Sequence, residues 1–437
     1  MTPVLIKTKI SVIMPVYNAG VFLKDSINDL MHQAFDDYAL VCIDDCSEDR
    51  ITKEVLQDIQ NKEPKVHVIF LDRHLGAAGA RNYGLNVIKS DFVIFVDADD
   101  RFDSNYLKDM YNSITESNAD IAVCGHDFMV EDGDGVFRIS DSCIPKIKKG
   151  VTDRVFCLKE LDEDGLGYWT TNPWNKICRR SFIEHNELAF LSMPSGNDMY
   201  WSLMCAICAE RIIYCRMGTP LVHYRIGISN QISANRDSYS SYIAINRIKN
   251  EYKSEMSEEL DKQLKWLLVT SSVNEVRNPK GKNQREYYNY IRKVIERDRI
   301  QEILDDRKAK KYAEWILELE FDTLWFTLIG DFYKQLIVNS EPLLNAISNR
   351  KRIVIWGMGK RGRAFEKFCN ENDLRVYLYD ELNENIMSLY NFDMIKKNEL
   401  DFKEDLVVAS NEEIFAMLEK EYYGVDLLNL QRFCPYE

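Results

Sequence analysis

The stretch that most constrains the fold is residues 91–100, DFVIFVDADD, a run of β-forming side chains that ends in three carboxylates. A continuous apolar run is typical of a parallel strand that is buried on both faces. Ligands in open α/β sheets bind just beyond the carboxyl ends of such strands, so Asp97 and Asp99 are predicted to face a crevice. Such a pair can hold one hard cation and leave coordination sites for phosphate oxygens. The alternative is that the acids only form a turn and cap the next helix.

Two earlier apolar runs end in a similar way. Residues 10–16 lead into Tyr17, and residues 38–43 lead into Asp44 and Asp45. Helix-period segments separate these runs, and this alternation predicts a right-handed parallel sheet. In such a sheet the three strand ends meet at one edge, so their polar side chains are predicted to form one site.

Four short motifs carry a resemblance to the family 2 glycosyltransferases with the GT-A fold. They are VIMPVYN, IDDCSED, GAAGARN and VDADD, at residues 12–18, 43–49, 76–82 and 96–100, in the family's order and spacing. The resemblance covers roughly the first half of the chain. It implies a mainly parallel sheet flanked by helices, transfer of a sugar from a nucleotide donor, and a divalent cofactor, Mn²⁺ or Mg²⁺. One departure is His74, where relatives commonly have Asn before the Gly.

The resemblance also implies roles for individual residues. It places a set of side chains on the nucleotide-sugar, namely Pro15, Tyr17, Asp44, Asp45, Arg81, Asp97 and Arg225. Within this set Asp97 contacts the ribose, and Asp99 is the metal ligand. A uracil-like base needs an acceptor for its ring N–H, and a diphosphate leaving group needs its charge neutralised. These requirements favour a UDP-sugar donor.

The segment SGNDMYW, residues 195–201, contains the predicted catalytic residue. Family members have Glu-Asp or an equivalent here, whereas this chain has Asn197 and Asp198. An inverting transfer needs a carboxylate near the acceptor hydroxyl, so Asp198 is predicted to be the general base. The other interpretation makes Asp198 a helix N-cap, worth about 1 kcal/mol, and the two roles are compatible.

Two further segments are predicted to complete the site. The segment NPWNK, ending in Trp174, Asn175 and Lys176, resembles that of bacterial surface-polysaccharide transferases and indicates the acceptor side. Trp174 either stacks on a sugar or packs in the core, and the core interpretation is favoured. Arg225 is suited to bidentate pairing with diphosphate oxygens. His223 either completes the metal shell or is structural.

The chain is predicted to have three parts. Residues 1–236 form the GT-A domain, with a nucleotide-sugar half at 1–100 and an acceptor half at 101–236. Leucines and aromatic residues spaced three or four apart predict a helical region at 237–348. Residues 349–437 begin with a strand and a glycine-rich turn, which predict a small Rossmann-like domain.

The function of this last part is open. Its glycines at 357, 359 and 362 and the acid at 380 match a dinucleotide fingerprint. We favour an appendage that stabilises the chain, forms homo-oligomers or docks partners. Ligand binding at the glycines is the alternative, because neighbouring basic residues favour phosphate.

Composition limits the classes of partner and compartment. A formal net charge of −14 and a pI of about 5.1 argue against nonspecific nucleic-acid binding. The 11 cysteines are scattered, which is typical of free thiols in a reducing compartment. We expect neither a leader peptide nor a membrane span. A cytoplasmic location is predicted, with peripheral contact at the inner face of the cell membrane as an additional hypothesis.

Together these observations predict a metal-dependent, inverting glycosyltransferase. The donor is a UDP-sugar, and the acceptor is a hydroxyl of a glycan or lipid-linked glycan in bacterial surface polysaccharide synthesis, such as a capsule. One alternative is an oxidoreductase that binds NAD at the C-terminal fingerprint. Another is a catalytically silent protein that binds a sugar nucleotide.

Overall fold

The computed structural model describes most of the first 321 residues and scattered residues after them. The described residues are 7–132, 135–139, 154–161, 165–167, 169–193, 195–225, 237–253, 256–277, 283–321, 324, 347, 352–356, 365, 366, 368, 369, 374, 376–379, 405–409 and 426–429. The chain divides into two compact units. The first comprises residues 1–225, 239–271 and 302–309, and the second comprises 226–238, 272–301 and 310–437.

A nine-stranded mixed sheet forms the centre of the first unit. Its strands are β1 (Ile10–Val16), β2 (Tyr38–Asp44), β3 (Val66–Phe70), β4 (Phe92–Phe95), β5 (Arg101–Phe102), β6 (Ile121–Asp132), β7 (Gly135–Ile139), β8 (Lys176–Arg179) and β9 (Ile212–Arg225). The order is β3-β2-β1-β4-β8-β6-β9-β5, and β7 pairs with β6.

The first four strands of this order are parallel, as the alternating pattern predicts. In register, Val12 of β1 lies between Leu40 of β2 and Ile94 of β4. All of β2, and all of β1 except Pro15, is buried, because helices cover both faces of the sheet.

Seven helices of the described residues lie entirely within the first unit. They are α1 (Phe22–Met31), α2 (Arg50–Lys62), α3 (Gly76–Val87), α4 (Tyr106–Glu116), α5 (Arg180–His185), α6 (Asn197–Cys208) and α7 (Ser240–Glu251). Asp49 caps α2 by accepting from the amide of Thr52 at 2.8 Å. Helix α3 packs closely on β1, because a Cβ at Gly84 would lie 2.6 Å from Ile13 Cγ2.

The second half of the sheet changes direction. Strand β8 enters between β4 and β6 and is antiparallel to both. Strand β9 then runs parallel to β6, with a register shift at Gly125, and β5 pairs antiparallel to β9. Residues 97–100, with three aspartates, are called the acidic turn below. These pairings attach the chain after the acidic turn to the parallel half of the sheet. Short 3-10 helices at Leu158–Glu160 and Gly165–Gly167 precede β8.

Four more helices follow in the described residues up to Glu318. They are α8 (Glu258–Arg277), α9 (Gln284–Arg297), α10 (Ile300–Ile303) and α11 (Arg307–Glu318). In the residues that the structure describes, no helix is long and apolar enough to span a membrane.

The second unit contains a four-stranded parallel sheet, ordered β11-β10-β12-β13. Its strands are β10 (Arg352–Trp356), β11 (Val376–Tyr379), β12 (Asp405–Ala409) and β13 (Asp426–Asn429). The glycine-rich turn and the acid at 380 lie outside the described residues, so the Rossmann-like domain and the three domain boundaries stay predictions.

Candidate functional site

The carboxyl ends of β2, β1 and β4 lie side by side at one edge of the first unit's sheet. The amide of Asp45 donates to the carbonyl of Val16 at 2.8 Å, and the amide of Val96 donates to the carbonyl of Ile13 at 3.0 Å. The segments that follow these three strands therefore meet, which is the arrangement that binds ligands in open α/β sheets.

An exposed aromatic pair lies at this edge. Tyr17 is 49% exposed, and its ring centroid lies 4.4 Å from that of His74 at an interplanar angle of 41°. His74 Nδ1 lies 2.9 Å from Asp45 Oδ2, which fixes the imidazole beside the tyrosine. Pro15 precedes them in β1, opposite Ile43 of β2. The pair offers an exposed aromatic surface next to the end of β1.

The paired acids after β2 differ in how far the fold uses them. Both are buried. Asp44 Oδ1 accepts from the amide of Ser47 at 3.3 Å, whereas Asp45 Oδ1 accepts from the amide of Leu75 at 2.6 Å and Asp45 also pairs with His74. Because Asp45 joins the start of α3 to the end of β2, Asp44 is the acid less committed to the fold.

Arg81 connects the acidic turn to the start of α6. Its Nη2 donates to Asp97 Oδ1 at 2.6 Å, and its Nη1 donates to Asp198 Oδ1 at 2.6 Å and to Asn197 Oδ1 at 3.0 Å. Burial by itself lowers the pKa of Arg81, but the carboxylates of Asp198 and Asp97 raise it more, so the guanidinium stays charged.

Asp198 is the most accessible carboxylate of this cluster, with 40% of its side chain exposed. It lies in the first turn of α6. Loss of hydration raises the pKa of Asp198, and the nearby Asp97 carboxylate raises it further, while Arg81 and Lys176 oppose the shift. A raised pKa suits a carboxylate that has to accept a proton.

The third acid of the turn has a structural role. Asp100 is fully buried, and its Oδ1 accepts from the amide of Arg225 at 2.9 Å. Burial, together with Asp99 and Asp97, raises the pKa of the Asp100 carboxyl well above its usual range. Ser26 of α1 donates to the carbonyls of Ala98 and Asp100 at 2.9 and 2.5 Å, so the turn is held by an element outside it.

Arg225 is buried behind the same turn. Its Nε donates to the Asp99 carbonyl at 2.7 Å, and its guanidinium lies 4.6 Å from the centre of the Phe22 ring. Asp25 lies 3.9 Å from Nη2. Burial lowers the pKa of Arg225. In this conformation Arg225 supports the backbone of the predicted metal ligand, and its contact with diphosphate stays a prediction.

His223 is oriented by a buried acid that the sequence analysis missed. Its Nδ1 lies 2.6 Å from Asp127 Oδ1, and both side chains are buried. A carboxylate on one ring nitrogen is the usual outer support of a metal-binding histidine and leaves Nε2 for the ion. Asp127 is an acid within the apolar start of β6, which is the sequence signal that identifies it.

The donor atoms fit a divalent ion only if the substrate also contributes. Among the described residues, no three or more His, Cys, Asp or Glu side chains are grouped as a metal site. Asp99 and His223 offer an oxygen and a nitrogen, while Mg²⁺ usually takes one or two carboxylates together with substrate phosphates. Their roles as ligands of an ion shared with a diphosphate stay predictions.

The predicted acceptor segment is buried. Trp174 is 2% exposed, stacks on Tyr224 at 5.5 Å and packs edge-on against His126 at 4.7 Å. An indole in this position does not reach a sugar ring. Asn175 Nδ2 donates to the Thr170 hydroxyl at 2.7 Å, so the amide also serves the fold.

Lys176 pins the loop that precedes β8. Its Nζ donates to the carbonyls of Thr170 and Asn172 at 2.7 and 2.6 Å and to Asn175 Oδ1 at 2.8 Å. The ammonium also lies 5.0 Å from the centre of the Trp169 ring. Burial lowers the pKa of Lys176 to about 7. The described residues around Nζ supply acceptors that match the donors of an ammonium group.

The family model for glycosyl transferase family 2 matches residues 11–185. This match supports the resemblance to family 2 glycosyltransferases that the four motifs indicate. The matched residues contain the acidic turn, the paired acids after β2 and Arg81, and the start of α6 follows them in the chain.

Comparison with solved structures concerns the fold of the matched residues and the chain beyond them. S. aureus TarS residues 1–349, solved in complex with UDP-GlcNAc, superimposes with a TM-score of 0.57 at 22% identity. The superposition covers 75% of this chain and 92% of that one. It confirms the predicted GT-A fold of a mostly parallel sheet flanked by helices.

Two relatives match parts of the chain in sequence. Glycosyltransferase GlyA of Streptococcus pneumoniae serotype 4 is 28% identical over 227 residues, which is 51% of this chain and 31% of GlyA. The putative teichuronic acid biosynthesis glycosyltransferase TuaG of Bacillus subtilis is 31% identical over 127 residues, which is 29% of this chain and 50% of TuaG. The chain thus spans no more than half the length of these two relatives.

Proposed function

We propose that this chain is a metal-dependent, inverting glycosyltransferase of bacterial cell-wall or capsule polysaccharide synthesis. It moves a sugar from a UDP-sugar to a hydroxyl of a glycan or lipid-linked glycan. The observation that carries the proposal is the linked set of Asp97, Arg81 and Asp198 at the ligand-binding edge of the sheet, in and next to the segment that matches family 2. TarS, solved in complex with UDP-GlcNAc, supports the donor class, and TuaG, a putative teichuronic acid biosynthesis glycosyltransferase, supports the pathway class.

Each side chain has a defined task in this proposal. Asp44 accepts from the ring N–H of uracil beside Tyr17, and Asp97 accepts from a ribose hydroxyl. Asp198 takes the proton of the acceptor hydroxyl as that oxygen attacks the anomeric carbon from the face opposite the leaving UDP. Asp99 and His223 would hold the divalent ion, whose chemistry is to neutralise the charge that develops on the diphosphate.

The alternatives have less support. The glycine-rich segment on which the NAD-binding hypothesis depends lies outside the described residues, whereas the family match includes Tyr17, Asp44 and Asp97 of the proposed donor site. A silent sugar-nucleotide-binding protein would not need an accessible carboxylate at Asp198. The cytoplasmic location, membrane contact and oligomeric state stay predictions.

The first test is calorimetric titration of UDP into metal-stripped protein, with and without Mn²⁺. We expect UDP to bind more tightly with Mn²⁺ and the metal-dependent part to disappear in Asp99→Ala, because this carboxylate supplies a ligand for the shared ion. UDP-sugars are then screened for turnover. Absence of UDP binding under both conditions would contradict the UDP-sugar assignment.

Asp127→Asn tests the support of His223. We expect Mn²⁺ affinity in the presence of UDP to fall by about 10–100-fold, because the imidazole loses the charged partner that orients it. The measurement is Mn²⁺ titration followed by electron paramagnetic resonance of the free ion. Asp120→Asn is the matched control, since Asp120 accepts from the amide of Arg211 near the opposite end of β6. Equal Mn²⁺ affinity in both variants would contradict the assignment of His223 as a metal ligand.

A further inference from the structure

Both Nη atoms of Arg81 donate to other residues of the protein, whereas its buried Nε has no hydrogen-bond partner among the described residues. Its two Nη atoms donate to Asp97, Asn197 and Asp198, which come from the turn after β4 and the first turn of α6. These partners lie 16, 116 and 117 residues away in sequence. One guanidinium therefore joins three elements, with both Asp partners at 2.6 Å.

The position of this guanidinium is fixed from its other side. Arg81 is 3% exposed, and its Cζ lies 5.1 Å from the centre of the Phe190 ring. Asn82, the next residue of α3, exchanges hydrogen bonds with the backbone of Phe190, donating to its carbonyl at 2.9 Å and accepting from its amide at 2.8 Å. Phe190, whose ring packs against Arg81, is thus hydrogen-bonded to α3, the helix that carries Arg81. The guanidinium therefore has little freedom to move.

The charges explain why a cation is needed there. Asp97 and Asp198 both contact Arg81, so two carboxylates lie close together and repel each other. Lys176 is the other cation that acts on Asp198. Asn197 adds a neutral acceptor, whereas an acid at that position would add a third negative charge around the cluster. Arg81 balances the repulsion and sets the distance between the carboxylates.

We propose that Arg81 is a positioning residue, which holds the Asp198 carboxylate at a fixed place relative to Asp97 and so aligns the acceptor base with the donor. The inference rests on the proposed function. It differs from the role that the family resemblance implies, which is direct contact with the nucleotide. The two roles predict different effects of the same substitution, because a nucleotide ligand governs donor affinity and a positioning residue governs kcat.

The test compares Arg81→Lys and Arg81→Gln with the wild type. We expect kcat to fall by about 10–100-fold in Arg81→Lys, because a misplaced base loses alignment, while UDP affinity stays nearly unchanged. Arg81→Gln should lose more of kcat than Arg81→Lys. It should also shift the acid limb of the pH profile upward, since the cation that favours the ionised Asp198 is lost. Arg180→Lys is the control, because Arg180 donates to the Ile88 carbonyl at the opposite end of β4.

A second measurement does not depend on turnover. Urea unfolding of Arg81→Lys, Asp198→Asn and the double variant should give non-additive midpoints, because both substitutions weaken one contact. Additive midpoints, or a loss of UDP affinity as large as the loss of kcat, would overturn the positioning role. If the wild type neither bound UDP nor transferred sugar, the proposed function would fail, and the unfolding cycle would still decide whether Arg81 holds Asp198.

Discussion

Asp198→Asn is expected to reduce kcat by about 10²–10⁴-fold, the usual contribution of a positioned general base. The amide keeps an oxygen for Arg81 but cannot accept the proton of the acceptor hydroxyl. Because the substitution removes little volume and leaves Asp44, Asp97 and Asp99 in place, UDP affinity should be retained. The measurement is turnover of the best UDP-sugar beside UDP calorimetry.

The pH dependence of the wild type provides a second readout of the same residue. Burial raises the pKa of Asp198, so its base form is lost at a higher pH than for an ordinary aspartate. Activity should therefore fall as the pH drops through this raised value, and the fall should be absent from the residual activity of Asp198→Asn. Asp58→Asn, on the exposed face of α2, is the control. Full activity in Asp198→Asn would show that another residue is the general base.

Lys176→Met is expected to lower the free energy of unfolding by about 3 kcal/mol or more, because the thioether cannot donate to the three oxygens that accept from Lys176. The measurement is urea unfolding at pH 7. Lys62→Met is the control, since Lys62 is 66% exposed and, among the described residues, pairs with Asp58 in the preceding turn of the helix. Its substitution should change stability by less than about 0.5 kcal/mol. A similar loss of unfolding free energy in both variants would contradict the role of Lys176 in stabilising the loop before β8.

The same variant tests how Lys176 titrates. Burial lowers the pKa of Lys176 to about 7, from the ordinary lysine value of 10.5. Between these values the unfolded chain holds a proton that the folded chain has released, so raising the pH favours folding in this window. Below pH 7 both states are protonated, and the contribution is constant. The stability difference between wild type and Lys176→Met should therefore grow from pH 7 to about pH 10.

Much of the parallel half of the sheet could be predicted from sequence, because its signals are local. Strands β1, β2 and β4 are continuous apolar runs, and each ends at a polar residue that stops the run. Helix-period segments of suitable length separate them, so few topologies are possible. The edge that gathers Tyr17, Asp44 and Asp97 follows directly from this arrangement.

The contacts within the site could not be predicted, because they depend on pairings between distant parts of the chain. Nothing near Arg81 in sequence indicates that it meets Asp198. The Asp127–His223 pair depends on the register of β6 against β9, which includes a shift at Gly125. A register cannot be read from either strand alone.

Lys176 illustrates a different limit. Lysine is almost never fully buried unless it is paired, so a lysine beside a motif is naturally assigned to a site that faces solvent. Burial at this position requires three oxygens from one short loop, and their convergence is a property of the folded backbone.

Helix α1 stabilises the conformation of the acidic turn. Ser26 donates to the carbonyls of Ala98 and Asp100, and Asp29 forms a two-pronged ion pair with Arg101. The conformation of the acidic turn therefore depends on helix α1. Transferring these acids to the sheet of another protein would therefore require helix α1 as well. Substitutions in α1 are in turn limited by its contacts with a turn that comes much later in the chain.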